Sequence, residues 1–327
     1  MIERHHVAVI GAGPIGLELA VALKQAGIDY VQLDAGQIGS TIEWYPPQML
    51  FHSSSDRLAL AGMPIQTANQ QKITREEFLA YLRALVLNFG LTVRTYERVL
   101  KIEKGFILHT TASQIRADII VLAIGAFHAP RLIDVPGEDL PHVSHYLRDP
   151  HHYFGKRLLI VGGRNSAVEA AVRCHRAGAD VTLAYRGEDF DPKVVKFWLL
   201  PEVRALIRDG HVRFLPRTCV RAIEPGRVLL DDWVPADFVL LMTGYRQDPT
   251  LFEMLGVQLQ GAERAPLHDP ATMETNVPGV FIAGTAVAGT PPRKVSVIVE
   301  TCHVHVPRIV AAITGRRVAL PDGALDD

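Results

Sequence analysis

Apolar and polar positions along this chain change period in blocks, and the same order of blocks occurs twice. Val7 to Ile10 is a continuous apolar run that ends at Gly11-Ala12-Gly13-Pro14-Ile15-Gly16. A helical spacing runs from about Ile15 to Ala26, with Leu19, Ala20 and Leu23 on one face. Gly27 stops that helix, and Tyr30 to Leu33 reads as the next strand, closed by Asp34. The second copy runs from a strand at Arg157 to Val161 through Gly162-Gly163-Arg164-Asn165-Ser166-Ala167. It continues with a helix from Ser166 to Ala177, a stop at Gly178 and a strand from Val181 to Tyr185. Strand, glycine loop, helix and strand within about 30 residues bring a helix N-terminus to a dinucleotide pyrophosphate. One such loop is a weak signal. Two, each in full context, predict two dinucleotide sites in one chain, and hence electron transfer between them.

The repeat extends further. Ala117 to Gly125 and Ala236 to Gly244 are apolar runs closed by glycine, of the kind found in buried parallel strands. Each is preceded by β-rich sequence, Val99 to His109 and Val212 to Leu230. After the second run, Thr275 to Gly284 gives a turn, a short strand and a glycine, and a long helical pattern spans Val295 to Thr314. This tail needs a sheet to join, and the simplest arrangement returns it to the first domain. The predicted architecture is α/β, with two Rossmann-like dinucleotide-binding domains of three-layer ββα type and the second inserted in the first. Residues 1–129 and 246–327 form the first domain and 130–245 the second. The crossovers lie near 126–131 and 244–249, where Pro130 and Pro249 punctuate the chain.

Composition narrows the class. The 327 residues suffice for two cores, and 48% hydrophobic with 21% charged residues is ordinary for a globular protein. A net charge of −1 argues against a nucleic-acid partner. The first apolar run is too short for a secretory signal, and no apolar stretch approaches the roughly 18 residues of a membrane helix. Cys174, Cys219 and Cys302 are far apart, with neither CxxC nor metal-ligand spacing. His145, His151 and His152 match no zinc pattern, so no metal is expected. The expected location is the cytoplasm, without structural disulfides.

The residue after the second strand of each unit reads the ribose. Asp34 can accept hydrogen bonds from ribose hydroxyls and would repel a 2′-phosphate, which suits FAD or NAD. The second copy has Tyr185-Arg186 there, and an arginine pairs with a 2′-phosphate, favouring NADPH over NADH. Solvent exposure alone is the other reading of Arg186, as it is of Lys193 and Lys196. Arg164 stands where the middle glycine of the loop is usual. It either crowds the pyrophosphate or supplies a cation to it.

These residues resemble the low-molecular-weight thioredoxin-reductase-like flavoproteins, and within them the bacillithiol disulfide reductase family. The resemblance covers essentially the whole chain. Besides the glycine loops it rests on Trp44-Tyr45-Pro46-Pro47, Phe51-His52-Ser53-Ser54-Ser55, His145-Tyr146, Tyr153-Phe154, Tyr185-Arg186-Gly187 and Phe281-Ile282-Ala283-Gly284. It implies FAD in the first domain, NADPH in the inserted one, hydride transfer from nicotinamide to flavin, and a homo-oligomer. The implied FAD contacts are Gly11, Gly13, Pro14, Ile15, Gly16, Asp34, Trp44, Ser53, Val99, Ala123, Gly125, Gly284 and Thr285. Those for NADPH are Gly162, Gly163, Arg164, Asn165, Ser166, Ala167, Tyr185, Arg186 and Gly244. Trp44 to Pro47 are candidates to cover the flavin ring, with core packing as the alternative.

Three departures bear on chemistry. No CxxC precedes the second loop, where Val143 to His152 stand, so no internal disulfide relays electrons. Ile15 occupies the place of the family's loop cysteine and can form no mixed disulfide. Thr285 follows Gly284 where the wider fold has aspartate. Cys302 is a candidate substitute thiol, although a lone cysteine is more often a small buried apolar residue. His145 and His303 are candidate proton donors. The leading expectation is an NADPH-oxidising flavoprotein whose electrons pass to a small-molecule or small-protein acceptor such as a low-molecular-weight disulfide. The rivals are an NADPH–ferredoxin or flavodoxin reductase, a flavin monooxygenase, and a non-catalytic flavin- or NADPH-binding sensor.

Overall fold

The computed structural model describes residues 2–68, 70–290 and 297–316. The chain forms two compact units. The first comprises 1–44, 48–129 and the part from 245 onward, and the second comprises 45–47 and 130–244.

The first unit opens with β1 (Glu3–Ile10), α1 (Pro14–Gln25) and β2 (Tyr30–Leu33). Short helices α2 (Ser40–Glu43) and α3 (Ser55–Leu58) lead to α4 (Arg75–Phe89), which begins in a capping box between Thr74 and Glu77. Strands β3 (Val93–Arg94), β4 (Val99–Glu103), β5 (Ile107–Thr110) and β6 (Gln114–Leu122) follow. The order in the sheet is β3-β2-β1-β6-β5-β4. β1 is parallel to both β2 and β6, whereas β4, β5 and β6 form an antiparallel meander. Ile15, Leu19 and Leu23 of α1 share a buried cluster with Val7, Val9 and Val121 of the sheet. Each such burial contributes about 1.5–3 kcal/mol.

The second unit follows β7 (Ala129–Pro130) with β8 (Val143–Ser144), β9 (Arg157–Val161), α5 (Asn165–Arg176), β10 (Asp180–Ala184), α6 (Leu199–Arg208) and β11 (Val212–Leu215). An antiparallel trio, β12 (Ala222–Glu224), β13 (Arg227–Leu229) and β14 (Trp233–Pro235), precedes β15 (Phe238–Leu241). The main sheet, ordered β11-β10-β9-β15-β8, is parallel at every pairing. One face carries α5 and α6; the cluster on the other includes Val220, Ile223 and Val228.

The tail holds β16 (Tyr245–Arg246), α7 (Thr250–Leu255), β17 (Leu259–Gln260), β18 (Ala265–Pro266) and β19 (Val280–Ile282). β19 returns to the first sheet, parallel to the C-terminal half of β6. The final helix differs from expectation. Val295, where it was expected to begin, lies outside the described residues. A single 3-10 turn spans Val299–Thr301 and α8 is only His305–Thr314. Pro307 explains the start, because its ring is tolerated only within the first turn of a helix. Tyr45–Pro47 also depart from the expected division. The Arg173 guanidinium of α5 donates to the Pro47 carbonyl, so these residues pack with the second unit.

Candidate functional site

The two glycine loops are built by the same backbone bonds. In the first, Gly11 N–H donates to Leu33 O at 2.7 Å and Ala123 N–H to Ile10 O at 2.8 Å; in the second, Gly162 N–H donates to Ala184 O at 2.9 Å and Met242 N–H to Val161 O at 2.8 Å. Asp34 N–H bonds Arg94 O at 2.9 Å, and Tyr185 N–H bonds Leu215 O at 2.9 Å. Gly13 and Arg164 cap the helices, each with its carbonyl accepting from the residue four on, Leu17 and Val168. The equivalence runs without insertion from Gly11 and Gly162 to Asp34 and Tyr185.

Close approach dictates the glycines. Gly11 has φ +115°, and a Cβ there would lie 2.3 Å from Ala123 O; one on Gly16 would lie 2.3 Å from Gly11 O. Gly162 has φ +145°, and its Cβ would lie 2.6 Å from Met242 O. Gly13 is different, because a Cβ there would meet nothing within 4 Å. The space over the α1 N-terminus is therefore open. Pro14 opens the helix and no side chain caps it. Unsatisfied N–H groups and the helix dipole facing an open cradle fit a pyrophosphate.

The surrounding groups converge at the C-terminal end of the first sheet. The Asp34 carboxylate accepts from Ala12 N–H and Gly36 N–H, both at 2.7 Å, and so braces the loop. Buried Gln32 donates from Nε2 to Gly11 O at 3.0 Å. A Cβ on Gly284 would sit 3.4 Å from Ile15 Cβ, and one on Gly125 would sit 3.7 Å from Thr285 Oγ1. Loop one, the end of β6 and the end of β19 thus meet at Gly11, Ile15, Ala123, Gly125, Gly284 and Thr285. The Trp44 ring is tilted against Tyr245 at 6.1 Å, Ser53 lies just before α3, and Val99 opens the outer meander.

In the second loop Arg164 is exposed where Gly13 is bare. Asn165 Oδ1 accepts from Lys196 N–H at 2.8 Å and pins that segment to the loop. The Tyr185 ring is held by its neighbours. It packs between Gly163 and Gly187, where a Cβ on either would come within 2.5 Å of ring atoms, and it stacks on Phe190 with 9° between the planes. Gly163 and Gly187 thus make room for this ring. Arg186, one residue on, is exposed. Gly244 has φ +95° and stands beyond β15 as Gly125 does beyond β6.

Cys302 is fully buried in the core of the first unit, which does not suit a thiol that meets a soluble acceptor. Ile15, at 5% exposure, belongs to the same core. His303 lies 2.8 Å through Nδ1 from Glu18 Oε2 and 3.0 Å through Nε2 from Arg57 O. Burial opposes its charge, but the Glu18 carboxylate and the Arg57 carbonyl outweigh it and hold its pKa above the ordinary value. Both ring nitrogens face acceptors, so His303 ties α1 and the segment at Arg57 to the chain before α8. Glu18 also accepts from Ala61 N–H at 3.0 Å. His145, in the second unit, is pushed down by burial against the pull of Glu138, whose Oε1 is 3.4 Å from Nε2. Sequence reading missed Glu18. A single acid within an apolar helical run was the available signal, but nothing local ties it to His303. His305 accepts from Gly284 N–H through Nδ1 at 3.1 Å, which fixes the turn beside Ile15.

Among the described residues no helix is long and apolar enough to cross a membrane, and no group of three or more His, Cys, Asp or Glu is placed to hold a metal. The family model described as pyridine nucleotide-disulphide oxidoreductase matches residues 8–284. Bacilliredoxin reductase Bdr of Bacillus subtilis is 36% identical over 94% of this chain and 97% of its own length. The solved bacillithiol disulfide reductase Bdr of Bacillus cereus is 33% identical, with TM-score 0.91 over 96% of this chain and all of that one. A ferredoxin–NADP reductase of Ignicoccus hospitalis is 28% identical over 84% of this chain and 88% of its own. The fold is thioredoxin-reductase-like, and the protein is an oxidoreductase that works with FAD and NADPH. The chain belongs to the pyridine nucleotide-disulphide oxidoreductase family.

Proposed function

We propose that the first unit holds FAD and the second NADPH, and that the electrons leave to a low-molecular-weight disulfide. The observation that carries this reading is the doubled loop: one scaffold, with an open Gly13 cradle and Asp34 in one copy and exposed Arg164 and Arg186 in the other. The α1 N-terminus holds the FAD pyrophosphate, with Asp34 toward the adenosine ribose and Thr285 and Gly284 toward the far end of the cofactor. Gly162 to Ala167 take the NADPH pyrophosphate, and Arg186 takes the 2′-phosphate. Together the two cofactors supply two-electron chemistry, by which a disulfide gains two electrons and two protons and leaves as two thiols.

Ile15 fills the family's thiol position with a buried aliphatic group, so the disulfide is reduced without a covalent link to this loop. A second reading, a ferredoxin or flavodoxin reductase, draws on the same two facts, no CxxC and no loop thiol. We further read the chain as a cytoplasmic homo-oligomer. The exposed Phe197, at 80%, and the Trp198 beside it support a covered surface. The test is anaerobic reduction by NADPH followed by reoxidation with low-molecular-weight disulfides, bacilliredoxin-type proteins, ferredoxin, quinones and oxygen. Reoxidation fastest by disulfides supports the lead; reoxidation fastest by ferredoxin replaces it with the second reading.

A further inference from the structure

The second unit carries a long cationic side chain at the nucleotide edge that the reading above leaves unused. Arg217 follows β11 in a left-handed turn, with φ 54°. Its N–H donates to Gly187 O at 2.9 Å, and the next N–H, from Thr218, donates to Tyr185 O at 3.0 Å. These bonds zip the turn after β11 along residues 185–187, so Arg186 lies between two residues bonded to that turn. The first copy makes the same zip: Tyr96 N–H donates to Gly36 O and Glu97 N–H to Asp34 O, both at 2.9 Å, with Tyr96 at φ 59°. The scaffold therefore builds this position twice. It is filled by a neutral ring beside Asp34 and by a guanidinium beside Arg186.

The Arg217 side chain is 72% exposed, with Nη1 3.3 Å from Glu188 Oε1. The next acid, Asp189, is engaged by Arg204 at 2.6 Å. An exposed pair of this kind holds its partner weakly. A phosphate monoester offers up to two negative charges and three acceptor oxygens, and an arginine fork binds it in bidentate fashion.

We propose that Arg217 is a specificity-determining residue of this site, the second arm of a clamp in which Arg186 and Arg217 together grip the 2′-phosphate of NADPH. Glu188 is the carboxylate from which Arg217 transfers to the phosphate. The proposal rests on the second loop being the NADPH site, and it explains selectivity through two cations where one had been assigned.

Calorimetric titration of the holoprotein with adenosine 2′,5′-bisphosphate and with AMP, which differ by the 2′-phosphate, tests it without turnover. Arg217→Gln is expected to weaken the bisphosphate about tenfold and to leave AMP within about twofold. Arg217→Lys recovers part of the loss, and Glu188→Gln tightens the bisphosphate about two- to threefold. If Arg186→Gln weakens the bisphosphate and Arg217→Gln does not, the second arm is wrong while the site stands. Equal weakening of both ligands by Arg217→Gln also overturns the proposal, since the contact is then not to the 2′-phosphate. If neither variant discriminates the ligands, the assignment of NADPH to this loop fails with it.

Discussion

The two glycine-loop units of this molecule share one strand–loop–helix–strand backbone and differ in side chains at its ligand edge. Gly13 corresponds to Arg164, Asp34 to Tyr185, Tyr96 to Arg217, and buried Gln32 to Leu183. The shared part is fixed by backbone, because the carbonyl oxygens of Ala123 and Met242 would lie 2.3 and 2.6 Å from a Cβ on Gly11 or Gly162, closer than non-bonded contact allows. Of the variable positions, Gly13 lies where nothing in the chain competes for space. On the proposed assignment, selectivity is a matter of charge on a constant frame.

The largest effect separates frame from edge within a single loop. Gly11→Ala places a methyl group 2.3 Å from Ala123 O on a backbone at φ +115°. It is expected to cost about 3 kcal/mol or more and to leave the first unit without flavin. Gly13→Ala meets nothing within 4 Å. It is expected to cost about 0.5 kcal/mol while lowering flavin occupancy, because the methyl enters the cradle. Urea midpoints and the flavin absorbance of the purified variants check both. Equal destabilisation by the two would merge frame and edge.

The halves also use histidine in opposite ways. Glu18 and the Arg57 carbonyl raise the pKa of His303, whereas burial lowers that of His145. Because the folded form keeps the His303 proton more tightly, its contribution is complete below about pH 6.5 and is lost as pH rises through the raised folded pKa. The His145 contribution is complete above about pH 6.5 and is lost as pH falls from there toward the lowered folded pKa. His303→Gln, which leaves Glu18 buried without its cation, is expected to cost about 3 kcal/mol at pH 6. Melting temperatures from pH 5 to 9 check the signs. The gap between wild type and His303→Gln should narrow with rising pH, and the gap to His145→Gln should narrow with falling pH.

A smaller effect concerns the second loop. Gly163→Ala pushes on the Tyr185 ring, which can shift, so a cost of about 1–2 kcal/mol is expected. Tyr185→Leu should absorb part of it, giving a double variant less destabilised than the sum of the singles. Strict additivity, measured by urea unfolding, would show that the ring does not dictate this glycine.

How much of this was legible in the sequence follows from how local each signal is. Both loops, their helices and their flanking strands were readable because period and glycine spacing are short-range. Observed bounds such as Pro14–Gln25 and Asn165–Arg176 lie within a residue of those expected. The final helix was drawn too long because apolar spacing continues through Val299 to Val304, and Pro307 was the overlooked marker of its start. The His303–Glu18 pair, the sandwich of Tyr185 between two glycines and the brace from Asp34 to Ala12 were not legible. Each depends on at least one partner 22 or more residues away, Glu18 for His303, Gly163 for Tyr185 and Ala12 for Asp34, and is created only when the chain folds.

The claim that each copy holds its own dinucleotide is tested most directly by anaerobic titration of the purified protein with NADPH and NADH, followed by flavin absorbance. The account predicts one flavin per chain, bleached by about one equivalent of NADPH. Arg186→Gln should need roughly ten times more NADPH to reach the same end point and should respond to NADH as the wild type does. Protein that carries no flavin, or whose flavin bleaches equally well with NADPH in wild type and Arg186→Gln, would contradict it.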